Sequence, residues 1–259
     1  MHFELTEEQL MIRQAARDFA QTELKPGVIE RDEHQKFPAE QVKKLGELGF
    51  LGMMVSPQYG GSGMDAISYV LVMEDLSKID ASASVVVSVN NSLVCFGLEK
   101  YGSEAQKEKY LVPLAKGEKI GAFCLSEPEA GSDATSQRTT AIDMGDHYLL
   151  NGTKNWITNG GTASTYLVIA QTDAAKKHHG INALIVEKGM EGFTIGPKEN
   201  KLGIRGSDTH SLMFTDVKVP KENRIGEDGF GFKFAMQTLE GGRIGIASQA
   251  LGIASGAYE

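Results

Sequence analysis

Two stretches of this chain gather hydroxyls, glycines and an indole at a fixed separation. They are Phe123-Cys-Leu-Ser-Glu-Pro-Glu-Ala-Gly-Ser-Asp133 and Leu150-Asn-Gly-Thr-Lys-Asn-Trp-Ile-Thr-Asn-Gly-Gly161. In the first, the Gly131-Ser132-Asp133 turn lets the backbone come close to a ligand, and its hydroxyl and N–H groups suit a pyrophosphate or an acyl carrier. Taken alone, Ser126 reads as a strand-end hydroxyl, Ala-Gly-Ser-Asp as a turn, and the single tryptophan, Trp156, as a core residue. A third segment, Glu240-Gly-Gly-Arg243, reads as an exposed i, i+3 ion pair worth ~0.2–0.5 kcal/mol. Two adjacent glycines in a helix, each ~1 kcal/mol worse than alanine, indicate instead that something packs close to it.

The elements that must position these residues change character along the chain. From Thr6 to about Gly117 the period is helical, opening on a capping box of Thr6 and Gln9 and continuing with Ile12, Ala15, Ala16 and Phe19. A second helix is predicted from Pro38, with Val42, Leu45 and Leu48 inward and a stop near Gly49. Helices over 66–76 and 82–98 are apolar on more than one face and belong deep in a bundle. Ser103 and Gln106 repeat the capping pattern before a helix running through Leu114.

After Lys119, short segments rich in Val, Ile, Thr and Tyr alternate with turns, over 120–125, 147–150, 165–170, 181–186 and 210–214. This predicts an antiparallel β domain, barrel or sandwich. Helical spacing returns at Gly229, with Phe232, Ala235, Met236, Leu239, Ile244, Ala247, Leu251 and Ile253 as its apolar stripe. No stop signal precedes Glu259, so this last helix reads as interrupted. The fold class expected is therefore α+β: an N-terminal helical bundle (1–118), a middle antiparallel β-barrel domain (119–228) and the start of a truncated C-terminal helical domain (229–259).

Bulk properties narrow the partners. With 41% hydrophobic and 23% charged residues the chain can bury a core, and it reads as a soluble globular protein. A net charge of −8 disfavours nonspecific attraction to nucleic acid or an anionic membrane. No membrane-length apolar run and no signal or transit pattern is read from the residues, which fits a cytoplasmic bacterial protein or a processed mitochondrial one. Cys95 and Cys124 read as free buried thiols, and the histidines, with His178 and His179 in a polar turn, as solvated rather than metal ligands.

The two-part motif resembles the flavin-contacting core of acyl-CoA dehydrogenases. Tyr101-Gly-Ser-Glu-Ala-Gln-Lys-Glu-Lys-Tyr-Leu111, Lys201-Leu-Gly-Ile-Arg-Gly-Ser207, Phe214-Thr-Asp-Val-Lys-Val-Pro220 and 231–247 extend the resemblance over essentially the whole chain. It implies FAD as cofactor, with Phe123, Cys124, Leu125 and Ser126 along the pyrimidine side of the flavin, where donors stabilise the charge of reduction. Gly131 and Ser132 are implied to touch FAD, Ser132 the thioester as well. Trp156 and Ile157 would flank the ring, and the Thr158 hydroxyl would reach its N5 and O4 edge. For substrate, the resemblance points to Gln237, Glu240, Gly241, Gly242 and Arg243. Glu240 stands where aspartate is common. The Asn90-Asn-Ser-Leu93 segment and Gln237 look most like the short-chain, butyryl-CoA members, in which a longer side chain shortens the acyl pocket.

The implied reaction is α,β-dehydrogenation of a short-chain acyl-CoA to the trans-2-enoyl-CoA, feeding fatty acid β-oxidation, with an electron-transfer flavoprotein as acceptor and a homo-oligomer, the family tetramer, as the assembly. The family's base follows an Ile-Tyr-Glu-Gly-Thr type motif that this chain lacks. Its catalytic residue is therefore expected beyond Glu259, and Glu127, Glu240 and Glu259 do not match its position. A partner-subunit arginine and Gly-Gly turn over the FAD diphosphate are also unmatched, so the chain alone is expected to bind FAD poorly. A non-catalytic flavin or acyl-CoA binding module, or a folding remnant, stands as the alternative.

Overall fold

A computed structural model describes residues 4–259. Helix α1 (Glu7–Phe19) begins on the Thr6–Gln9 box, both bonds of which form. It is followed by α2 (Val28–Glu33), which the sequence reading missed, and α3 (Ala39–Glu47). Val42 and Leu45 of α3 are buried, whereas Leu48 lies just past the helix end and is exposed, against expectation. Helix α4 (Ala66–Ser77) starts on Asp65, whose carboxylate accepts from the Ser68 N–H. Asp80 caps α5 (Ala81–Ser88) in the same way.

From α5 the helix continues through a widened π segment (Val89–Cys95) into α6 (Phe96–Tyr101). This Ala81–Tyr101 run is long and apolar enough to cross a membrane, a length that the sequence reading did not register, but most of it is buried inside the bundle. Ser103 and Gln106 form their box at α7 (Glu104–Gln106), and α8 (Val112–Ala115) ends the helical part.

Eight strands follow: β1 (Gly121–Cys124), β2 (Thr140–Asp143), β3 (His147–Thr158), β4 (Thr165–Gln171), β5 (Ile181–Glu187), β6 (Phe193–Lys198), β7 (Thr209–Pro220) and β8 (Arg224–Ile225). They are hydrogen-bonded in the order β6-β7-β3-β2-β4-β5-β8, with β1 on the free length of β4 beside β2. The expected barrel is not formed, because β6 and β8 are open edges that never meet. Nor is the sheet purely antiparallel, since β1 and β2 both run parallel to β4.

Strands β2, β6 and β8 escaped the sequence reading for a physical reason. They are short, and β2 and β6 lie at the surface without a continuous apolar face. Pro197 in β6 is tolerated because an edge strand has donors to spare.

The sheet bends into two layers about β4. Its even residues, Tyr166, Val168 and Ala170, meet Leu150, Leu212, Phe214 and Val217 of β3 and β7 in an inner core. Its odd residues, Leu167 and Ile169, face Val94, Leu98, Leu111 and Leu114 of the helical part and Phe234 of the last helix, α9 (Gly231–Tyr258). A third core lies between α1, α3, α4 and α5, with Phe50, Leu51 and Met53 of the turn after α3.

The buried face of α9 differs from the stripe read from sequence. It carries Ala235, Thr238, Gly242, Gly245, Ser248 and Gly252, while Ile244, Leu251 and Ile253 of the predicted stripe are 42–53% exposed. The cause is close approach: Gly245 sits on Tyr69 and Ser88, and Gly252 on the Glu74 carbonyl of α4. A side chain at either place would push the two helices apart.

This yields a paired expectation for thermal unfolding. A Cβ at Gly241 makes only ordinary contacts, with the Ser92 carbonyl at 3.7 Å and Cβ at 3.9 Å, so Gly241→Ala should gain up to about 1 kcal/mol of helix propensity. Gly252→Ala meets backbone of α4 and Ser77 Cβ at 2.7 Å, so overpacking of ~1–3 kcal/mol should outweigh the same gain and lower the midpoint.

Candidate functional site

Strand β3 does not run straight into its partner β7. Their register breaks between Lys154 and Ile157. Within the break Trp156 adopts φ of +61°, a region that costs a bulky residue on the order of 1–3 kcal/mol. The bulge throws the indole outward, 61% exposed, while Ile157 returns to the core. The second half of the motif is therefore presented on a shelf and not packed, as a lone tryptophan would be.

The first half of the motif is brought to the same shelf. Asn155 N–H donates to the Ser126 carbonyl at 2.9 Å, which places Ser126, at the exit of β1, directly beside the tryptophan bulge. The hydroxyls of Ser126, Ser132 and Thr158 engage no side-chain or backbone partner among the described residues. Phe123 packs tilted against Phe234, ring centroids 6.4 Å apart, joining the shelf to α9. Cys124 points the other way, into the inner core, where burial pushes its thiol well above the usual range. Of the motif residues, Cys124 can thus offer a ligand only its backbone.

Beneath the shelf lies a polar niche that the sequence reading passed over. The Lys154 side chain is fully buried, and its ammonium donates to Glu127 Oε1 (2.7 Å), the Leu125 carbonyl (3.0 Å) and Gln137 Oε1 (3.1 Å). Three acceptors around one nitrogen require three N–H bonds, so Lys154 is held as the cation. Glu127 also accepts from the N–H groups of Arg138 (2.6 Å) and Thr139 (3.1 Å). Burial alone would raise the Glu127 carboxyl, but Lys154 and these donors outweigh it and hold it below its ordinary value. Burial also pushes the Lys154 ammonium down, opposed by Glu127. The alternation of β3 was the only available signal, placing Lys154 on the same face as Leu150.

The Gly131-Ser132-Asp133 turn is fixed by its own aspartate. Asp133 accepts from Thr135 N–H (3.1 Å) and from the hydroxyls of Thr135 and Ser136, so it shapes the loop and leaves Ser132 outward. Turn 127–130 closes with reciprocal Glu127–Ala130 backbone bonds.

On α9, Glu240 and Arg243 extend into solvent, and the i, i+3 ion pair between them is not made. Between them, Gly242 lies on the Leu93 side chain, where a Cβ would meet Cδ2 at 2.8 Å. Gln237 accepts a hydrogen bond from the Tyr101 hydroxyl at 2.5 Å. Asn90 and Asn91, in contrast, are structural: their amides are spent on Phe50, Leu51, Met53, Val87, Leu114 and Gly121 backbone groups. Of that segment Ser92 and Leu93 reach α9, at Gly241 and Gly242.

An exposed indole thus lies beside unengaged hydroxyls, and Gly241 and Gly242 of α9 lie against Ser92 and Leu93. Family comparison decides the matter: the N-terminal domain model of acyl-CoA dehydrogenases matches residues 6–118, and the middle domain model residues 122–217. The chain belongs to the acyl-CoA dehydrogenase family. It is 53% identical to the short-chain specific acyl-CoA dehydrogenase of Clostridium acetobutylicum, over 100% of this chain and 68% of that protein. The mitochondrial short-chain specific enzyme of Rattus norvegicus is 50% identical over 99% of this chain and 62% of its own length. Among solved structures, butyryl-CoA dehydrogenase from Megasphaera elsdenii superposes with a TM-score of 0.96 at 50% identity, covering 99% of this chain and 68% of that one. The chain thus spans about two thirds of these relatives.

Acid should act on the niche in a definite direction. Because the folded Glu127 carboxyl lies below its ordinary value of 4.5, its stabilisation is complete above that pH and is lost as pH falls through the folded value. Glu127→Gln should cost about 3–5 kcal/mol in urea unfolding at pH 7, since it strands a buried cation. The gap to the unaltered chain should narrow as the pH is taken below 4.5.

Proposed function

We propose that this chain forms the flavin seat and part of the thioester face of an enzyme that dehydrogenates short-chain acyl-CoA at the α and β carbons to the trans-2-enoyl-CoA. The observation that carries the reading is the Trp156 bulge, tied to Ser126 through the Asn155 N–H, with the unengaged hydroxyls of Ser126 and Thr158 on the residues flanking it. FAD fits that surface: the indole offers a flat apolar wall, and the Ser126 and Thr158 hydroxyls are open donors. When bound, FAD supplies a two-electron acceptor for the hydride from the substrate β carbon.

The chain's own residues do the rest of what is assigned here. Phe123, Leu125 and Ser126 line the ring seat, while Ile157, its side chain sunk in the inner core, offers only backbone. Preorganised hydroxyl and N–H donors there stabilise negative charge as it develops on reduction. Gly131 and Ser132 admit the cofactor and thioester closely, the glycine because a Cβ there would meet nothing within 4 Å. On α9, Glu240 and Arg243 reach toward the CoA moiety, Gly241 and Gly242 let Ser92 and Leu93 lie close to the helix, and Gln237, fixed by Tyr101, limits the acyl chain.

The α proton must be removed by a base, and no carboxylate of the shelf is free to do so. Glu127 is turned inward on Lys154, so we assign the abstraction to a carboxylate outside the described residues. The division at 119 and 229 into helical, flavin-binding and C-terminal parts belongs to the same reading. So do homo-oligomeric assembly and electron transfer onward to an electron-transfer flavoprotein. A solved chain from work on the electron transferring flavoprotein of Acidaminococcus fermentans, 50% identical with a TM-score of 0.97, supports that partner.

The test is spectroscopic. Protein expressed from its whole natural reading frame should carry flavin absorbance that butyryl-CoA bleaches and octanoyl-CoA bleaches far less. Trp156→Ala should weaken FAD binding by about tenfold or more, a loss of ~1.4 kcal/mol, without changing far-UV circular dichroism. Flavin that no acyl-CoA bleaches would leave a binding module and refute the dehydrogenase.

A further inference from the structure

The fully buried Lys154–Glu127 pair is a charged group that none of the chemistry above uses. Buried ion pairs are weak sources of stability, since desolvation offsets most of their attraction, and apolar replacements are often as stable. What distinguishes this one is where its bonds lead. Lys154 grips the Leu125 carbonyl on one side of Ser126, and Glu127 on the other. Through Gln137, Arg138 and Thr139 the pair holds the far end of the Gly131–Ser136 loop. Lys154 itself stands two residues before the strained Trp156, and its neighbour Asn155 bonds back to Ser126. Every segment that presents a side chain on the shelf therefore leaves from this one niche.

A tryptophan at positive φ persists only where the residues around it are over-determined. Here Lys154 is fixed by three hydrogen bonds before it, and Ile157 by burial and pairing with His210 after it. The chain between them has no course left except outward.

We propose that the Lys154–Glu127 pair is a positioning clamp: it holds the strained Trp156 bulge and the Ser126 and Ser132 segments as one rigid seat for the redox ring. This rests on the flavin reading above, but the clamp is testable without flavin, because Trp156 is the only tryptophan of the chain and reports on its own bulge.

The experiment compares the full-length protein with Lys154→Met, with the neutral double variant Lys154→Met/Glu127→Gln, and with Val219→Ala. The double variant leaves no stranded charge, and so remains informative if the single variant does not fold. Val219→Ala cuts a cavity in the same inner core at the opposite end of β3, paired to Tyr148, and controls for general destabilisation. Steady-state anisotropy and near-UV circular dichroism of Trp156 are read first, in the flavin-free protein. The FAD dissociation constant and the reduction potential of the bound flavin follow.

The clamp requires that both Lys154 variants lower the anisotropy, weaken the indole bands and raise the FAD dissociation constant by about tenfold or more, while Val219→Ala leaves all of these unchanged. Wild-type anisotropy and FAD affinity in a folded Lys154 variant would overturn it, as would the same losses in Val219→Ala. If the unaltered protein takes up no flavin, the functional reading falls, and the anisotropy comparison still decides the clamp.

Discussion

Burial of β4 on both faces is the constraint from which the rest of the architecture follows. A strand whose odd residues must meet helices and whose even residues must meet other strands cannot lie at the surface of either part. It forces the helical bundle against one layer of the sheet and folds the other layer over its opposite face. It also fixes β1, paired in parallel along its edge, so that Phe123 emerges next to Phe234 of α9 and Ser126 next to β3. The shelf lies at the seam of three bodies because one strand is shared among them.

Around that strand the molecule uses two ways of bringing backbones together. Between α9 and α4 it removes side chains, placing Gly245 and Gly252 where any Cβ would collide, so that helix contact replaces helix propensity. At the shelf it does the reverse, filling a closed niche with a cation and a carboxylate whose every bond is directed. Small residues allow close approach but leave rotation free, whereas a hydrogen-bonded ion pair fixes orientation. Orientation is what holds the three segments of the shelf in register, and close approach is what a long helix over a bundle requires.

Local signals in the sequence were read well where the cause was local. The Thr6–Gln9 and Ser103–Gln106 boxes form because each is a contact between residues three apart. Apolar β4 and β5 were legible because they are buried on both faces and so carry unbroken runs. Strands β2 and β6 were not, since their side chains lie largely toward solvent and leave no unbroken apolar run to read. The stripe of α9 failed for a related reason: periodicity locates apolar residues, but a helix seated on glycine, serine and threonine buries the face that looks least hydrophobic.

The residue types by themselves determined the family, the two motif halves and the chemistry that hydroxyls, glycines and an indole at that separation can support, because these are properties of composition and order along the chain. Only the tertiary structure decided that the sheet stays open, that Asn90 and Asn91 are spent on backbone, that Trp156 faces outward, and that Lys154 and Glu127 meet beneath it. Those outcomes depend on which distant surfaces compete for the same space and the same hydrogen bonds, and that competition is settled only when the whole chain is packed.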